Sequence, residues 1–247
     1  MRTQQDRTIK GYNLHICDAF DCDAGGWPVI MPTATVPNGL VTFEVATSDR
    51  HPDEFAHFFI DDYRFERLWN SPEKYVPVLK RYGGVLSPDF SLYTDMPLPV
   101  QIWNSYRSKA LASYWQRCGI DVIPTLCWSD ERSYDFAFSG IPERSTVAVS
   151  TVGVARNKEA RRLFEQGLRE AIARLMPQCI VWHGKLLELD MLGTKVVNYP
   201  SDNHERVKAW EEGEQRLETQ EAQQVRQGQR HKKWQSSGKR TPHISSL

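Results

Sequence analysis

Gly84–Asp135, GVLSPDFSLYTDMPLPVQIWNSYRSKALASYWQRCGIDVIPTLCWSDERSYD, reads as strand, polar loop, long helix, strand, polar loop. Val85-Leu86 begin an apolar run that turns polar at Asp89, after which Asp89, Ser91, Tyr93 and Asp95 alternate. Extended residues two apart share a face, so the four are read as pointing into one pocket or as tying down nearby loop amides. Pro97 and Pro99 favour a helix start, and apolar residues at 100, 103, 106, 110, 111, 114 and 115 keep the helical period to about Cys118. Gln101 and Asn104 in its first turns belong beside the Asp89 loop. Arg107, one turn on, suits either a carboxylate or phosphate ligand or a surface ion pair.

Gly119 ends that helix, and Val122–Trp128 is a short apolar run broken by Pro124, which makes the strand irregular or places it at an edge. Ser129-Asp130-Glu131 then turns polar at the strand's C-terminal end. Asp130 is read as a catalytic carboxylate or as a helix cap.

The run YTDMPLPVQIWNSYRSKALASYWQRCGIDVIPTLCWSD with FSGIPERSTVAVSTVG resembles the domain-of-unknown-function family numbered 4417, found in phages and other mobile elements. The likeness spans roughly Pro37 to Tyr199. It implies a phage or mobile-element origin and brings no catalytic residue with it.

Outward from the centre, Leu40–Ala46 is rich in β-branched and aromatic residues and is expected as the first strand. Asp53–Trp69 has helical spacing, with Phe55, Phe58, Phe59 and Leu68 inward. Ser71-Pro72-Glu73 starts a second helix that ends by Gly83. Thr146–Thr151 is a strand ending in Ser150 and Thr151, and a helix follows from about Asn157 to Leu175. Cys179–Gly184 is a strand ending at His183, and residues 196–199 form the last. His183 is read either as a proton-transfer group or as a structural hydrogen-bonding one.

This alternation predicts an α/β fold: a mostly parallel sheet of about six strands with crossover helices, either doubly wound or a partial, distorted β/α barrel. Three segments are expected. Residues 1–38 form an arm packing through Trp27, Val29, Ile30 and Met31, residues 39–201 the core, and residues 202–247 a polar helix with a disordered basic tail. In either architecture ligands sit at the C-terminal ends of the strands. The candidate catalytic residues there are Asp89, Asp130 and His183. The candidate substrate-binding residues are Ser91, Asp95, Gln101, Asn104, Arg107, Ser150 and Thr151.

With 31 basic and 31 acidic residues the formal charge is zero, which argues against coating nucleic acid through bulk charge. Beyond Glu221, however, no acid follows, and Arg226, Arg230, Lys232, Lys233, Lys239 and Arg240 supply six positive charges. Five cysteines, odd in number and mostly among apolar neighbours, suit reduced thiols. Cys17 and Cys22 lack the second ligand pair of a metal knuckle, so no metal is assigned. The phosphate-loop and dinucleotide fingerprints are missing, and the sequence identifies no cofactor. No apolar run approaches the roughly 20 residues of a spanning helix, and the start lacks a secretory apolar segment. A cytoplasmic protein without a membrane partner is the expectation. Two readings follow: a hydrolase-type enzyme acting on a phosphoester or glycosidic bond in a small-molecule pocket, or a module whose basic tail meets nucleic acid or a replication partner. A structural or regulatory phage protein without chemistry is the third.

Overall fold

The computed structural model describes residues 8–17, 21–44, 51–154 and 157–201. The expected C-terminal helix and tail, including the six cations from Arg226 to Arg240, lie outside them, as do Val45 and Ala46 of the expected first strand.

Seven parallel strands are present among the described residues: β1 (Gly39–Thr42), β2 (His51–His57), β3 (Tyr82–Leu86), β4 (Val122–Ile123), β5 (Thr146–Ser150), β6 (Cys179–His183) and β7 (Lys195–Tyr199). They pair in chain order as a four-stranded and a three-stranded sheet. A parallel bridge between Thr125 and Ala148 joins the two. Order without reversal excludes the doubly wound alternative, which needs a switch point. The chain is the partial barrel of the two. The Tyr199 hydroxyl at the end of β7 donates to the carbonyl of Pro37, two residues before β1, at 2.5 Å.

The helices α1 (Asp62–Asn70), α2 (Pro72–Leu79), α3 (Leu98–Arg117), α4 (Tyr134–Phe138) and α5 (Lys158–Leu175) cross over outside the strands. Proline opens α2 and lies in the first turn of α3, where its missing amide costs nothing. Asn157 caps α5 by accepting from the Glu159 and Ala160 amides. Those amides are therefore already in use, and this helix start offers them to no anion.

Alternation along the strands divides the core. Outward residues such as Val41, Ala56, Phe58 and Val85 pack with Phe65, Leu68, Leu111 and Trp115 of the helices. Val147, Val149, Ile180 and Trp182 do the same against Phe164, Leu168 and Ile172. Inside, Phe55, Phe59, Leu86, Ile123, Ala148 and Val181 cluster with Leu40 and Tyr199, so every strand contributes to one interior. Gly84 belongs there because a Cβ would lie 2.3 Å from the Phe55 ring and 2.6 Å from the Asp121 carbonyl. Pro124 does make its strand irregular, and β4 is the last strand of its four-stranded sheet. The ladder restarts with the Ala148 amide donating to the Pro124 carbonyl at 2.8 Å.

Two local expectations are corrected. Residues 51–57 are strand, not the start of a helix running to Trp69. Phe55 and Phe59 face the interior while Ala56 and Phe58 face the helices. Apolar residues at 55, 58 and 59 also match a helical period, and burial on both faces decides for the strand. In the arm, Ile30 is buried and Trp27 half-buried, but Val29 and Met31 are exposed. The arm is held chiefly by backbone bonds across the strand starts. Ile30 N donates to the Gly140 carbonyl at 2.9 Å, Thr146 N to the Thr33 carbonyl at 2.7 Å, and Thr35 Oγ1 to Asp121 Oδ2 at 2.6 Å.

Candidate active site at the strand C-terminal ends

Strand register places the last inward layer. Leu40 faces the interior and Thr42, two residues on, shares its face; Thr42 is opposite His57 across the β1–β2 ladder. Ser150 is opposite His183, and His183 opposite Tyr199. Although β2 and β6 are not neighbours, the His57 and His183 rings meet at 4.6 Å between centroids. That contact is possible only across the barrel interior. Phe59 stacks on His183 at 4.7 Å, and both histidines are 2% exposed.

The hydrogen bonds give these groups defined chemistry. The Phe59 amide donates to His57 Nδ1 at 3.3 Å, so the neutral ring carries its proton on Nε2. Ser150 Oγ accepts the Val152 amide at 3.2 Å and lies 3.2 Å from His183 Nδ1, a hydrogen bond whose direction is set by the imidazole tautomer. Thr42 Oγ1 is buried and makes no hydrogen bond among the described residues. His183 is braced from both sides. Thr151 Oγ1 donates to the Lys185 carbonyl at 2.7 Å, and Asn198 Nδ2 to the Trp182 and Gly184 carbonyls at 3.1 and 2.9 Å. Gly184, at φ +96, turns the chain where a Cβ would lie 2.9 Å from Thr151 Oγ1. Thr151 is thus a brace beside the centre.

The other sequence candidates occupy different surroundings. Asp89 Oδ1 is buried without a hydrogen bond. Burial, aided by neighbouring Asp62, holds its carboxyl protonated well above the usual range. Ser91 donates to Asp62 from its amide at 3.0 Å and its hydroxyl at 2.8 Å. Asp95 is exposed. Gln101 Nε2 donates to the Tyr93 and Met96 carbonyls, Gln101 Oε1 accepts from Ser129, and Asn104 Nδ2 donates to the Ser91 carbonyl. Arg107 holds both oxygens of Glu66 at 2.6 and 2.8 Å, donates to Asn104 Oδ1 at 2.7 Å, and lies 3.9 Å over the Phe90 ring. These three residues of α3 fasten the loop over the helix. Asp130 accepts the Arg132 amide and pairs with its guanidinium at 2.7 Å, which holds the carboxyl below its ordinary range. His183 and Ser150 come together; Asp89 joins Asp62, and Asp130 joins Arg132. Sequence spacing missed His57, because it lay inside the segment assigned to a helix.

A second polar cluster sits outside the barrel. Lys109, 3% exposed, donates to Ser105 Oγ at 2.5 Å and to the Phe136 carbonyl at 2.9 Å, with Trp27 5.0 Å away. Burial lowers its amine to about 7 and, with Asp89 nearby, raises the Cys127 thiol to about 12. Both line a cavity of about 10 Å³, the room of a single water molecule.

A family model described as domain of unknown function, DUF4417, matches residues 22–200. The chain belongs to the DUF4417 family. It is 44% identical over 181 residues to the Gene 1 protein of Mycobacterium phage L5, covering 70% of this chain and 78% of that protein. It is 41% identical over 181 residues to the Gene 1 protein of Mycobacterium phage D29, covering 70% and 66%. These relatives agree with the phage origin that the resemblance implied. No solved structure matches. The family match takes in the arm from Cys22 onward as well as all seven strands. Among the described residues no helix of this DUF4417 member is long and apolar enough to cross a membrane.

Proposed function

We propose that this DUF4417 protein is a hydrolase-type enzyme whose acid–base centre is His57, His183 and Ser150 at the mouth of the barrel. The observation that carries the reading is the His57–His183 ring contact between non-neighbouring strands, with a serine hydroxyl 3.2 Å from one ring. Burying two imidazoles and a hydroxyl in one inward layer costs desolvation that apolar residues would avoid. Their joint presence fits chemistry better than packing.

Between the two bond types read from the sequence, the phosphoester is favoured. Glycosidic cleavage uses two carboxyl groups facing each other across the bond, and Asp130 is bound to Arg132 while the Asp89 carboxyl is buried. In the proposed reaction His183 takes the Ser150 proton as the oxygen attacks phosphorus. The imidazolium so formed on His183 returns that proton to the leaving oxygen, and the His57 Nε2–H steadies the developing charge as a hydrogen-bond donor. Water then hydrolyses the phosphoserine, and Phe59 shields the rings from bulk solvent. Ser150, half-buried, is the side of the centre nearest to solvent.

The test is turnover of p-nitrophenyl phosphate and bis-p-nitrophenyl phosphate by the full chain, beside Ser150→Ala and His183→Gln. At least a 100-fold loss in kcat with melting temperatures near that of the parent supports the reading. Absence of turnover with both esters, or equal turnover by the variants, refutes it.

A further inference from the structure

The N-terminal arm holds two thiols that the barrel mouth does not use. Cys17 follows a 3-10 turn (Leu14–Ile16), and Cys22 forms an antiparallel bridge with Pro28. Their sulfurs lie 3.5 Å apart as thiols, each half-buried. One guanidinium holds both shoulders of this loop: Arg117 donates to the Ile16 carbonyl and pairs with Asp21 at 2.7 Å. The residue before each cysteine is therefore fixed to the same side chain at the end of α3. The other thiols are engaged elsewhere. Cys127 faces the Phe90 carbonyl, Cys118 bonds Tyr114, and Cys179 is buried in β6.

We propose that Cys17 and Cys22 form a dithiol modification site, closed to an intrachain disulfide by small-molecule disulfides of the oxidised-glutathione class. A bridge needs sulfur atoms about 2.05 Å apart, so closure requires an approach of about 1.5 Å from the observed contact. Burial and the neighbouring Cys22 push the Cys17 thiol up to about 12, and in the proposed closure Cys22 attacks first. The Cys22 thiolate attacks the oxidant's S–S bond, releases one small thiol and forms a mixed disulfide. Cys17, losing its proton to solvent, attacks the Cys22 sulfur and releases the second small thiol. Two protein thiols lose two electrons in total, and one oxidant disulfide becomes two thiols. The product staples the entrance of the arm, whose Ile16 and Ile30 are wholly buried in the outer core.

The experiment treats the full native chain with oxidised glutathione, alkylates it under denaturing conditions and digests it with trypsin. Cleavage after Lys10 and Arg50 yields residues 11–50, which carry both cysteines and no other. The expected product is that peptide 2 Da below its dithiol mass and unalkylated, with Cys118, Cys127 and Cys179 alkylated. The melting temperature should rise by a few degrees, as for a short closed loop, and fall back with dithiothreitol. Arg117→Met, folded by circular dichroism, should close at least threefold more slowly. A doubly alkylated peptide, a stable glutathione adduct, an unchanged closure rate in Arg117→Met, or Zn²⁺ binding that protects both thiols would each overturn the assignment.

Discussion

Raising the pH from 6.5 to 8.5 should stabilise this protein, and Lys109 is the reason. An amine at about 7 in the fold and near 10.5 in the unfolded chain differs by about 5 kcal/mol in total, at 1.36 kcal/mol per pH unit. Between those two values the unfolded chain binds a proton that the folded chain does not, so stability rises with pH. Below pH 7 both states are charged and the full burial penalty is present. Integrated from pH 6.5 to 8.5, the gain is about 2 kcal/mol, or about 4–8 °C in Tm for a domain of this size. Above pH 9 the trend reverses, because the Cys17 and Cys127 thiols, both raised to about 12, ionise only in the unfolded chain. Asp89 opposes the gain, so the measurement is a difference between two proteins. Thermal unfolding of the parent and of Lys109→Met is followed from pH 6.5 to 8.5. Ser105 keeps its bond to the Phe136 carbonyl in the variant, so one polar contact survives. A parent-minus-variant difference that grows by about 2 kcal/mol is expected. Parallel profiles, or a difference that shrinks with pH, would refute the buried, neutral amine.

Four further outcomes follow from the contacts. Gly84→Ala drives a methyl into the Phe55 ring and a backbone carbonyl. It should cost about 3 kcal/mol in urea unfolding. Arg107→Met strands Glu66 and Asn104 and removes the stack on Phe90; a loss of about 3 kcal/mol in the same assay is expected. Asp130→Asn keeps a capping oxygen and loses only a largely exposed ion pair. It should cost below about 1 kcal/mol in the same assay and leave phosphoester turnover unchanged. Asp89→Asn removes a carboxyl whose raised value in the fold makes it destabilising once ionised. It should leave Tm unchanged near pH 4 and raise it near pH 8.

Much of the fold was readable because its signals are local. Ser71-Pro72-Glu73, the Asn157 cap and the β-branched runs at 146–150 and 179–183 each name their own element. What escaped depends on distant neighbours. Residues 55–59 bury aromatic residues on both faces, Phe55 and Phe59 inward and Phe58 outward, and only a barrel that buries both makes the first part of this segment a strand. Along α3 the expected apolar stripe is blurred. Gln101, Asn104, Arg107 and Lys109 are buried because loop carbonyls, Glu66 and Ser105 await them, while Val100 is 43% exposed. Ser150 and His183 were placed at strand ends correctly from the chain alone. Their meeting with His57 was not legible, since it depends on how tightly seven strands curl.

The arm that crosses the strand starts imposes an order of events on a nascent chain. Thr33 is made well before its hydrogen-bonding neighbour Ser145, which comes 112 positions later. Asp121, which receives Thr35, trails by 86. Until synthesis reaches the fifth strand, the arm can dock on the helices but cannot complete the bonds of Thr33 to Ser145 and Thr146. A chain begun at Gly39 would lose the bonds that Ile30, Thr33 and Thr35 make across the strand starts.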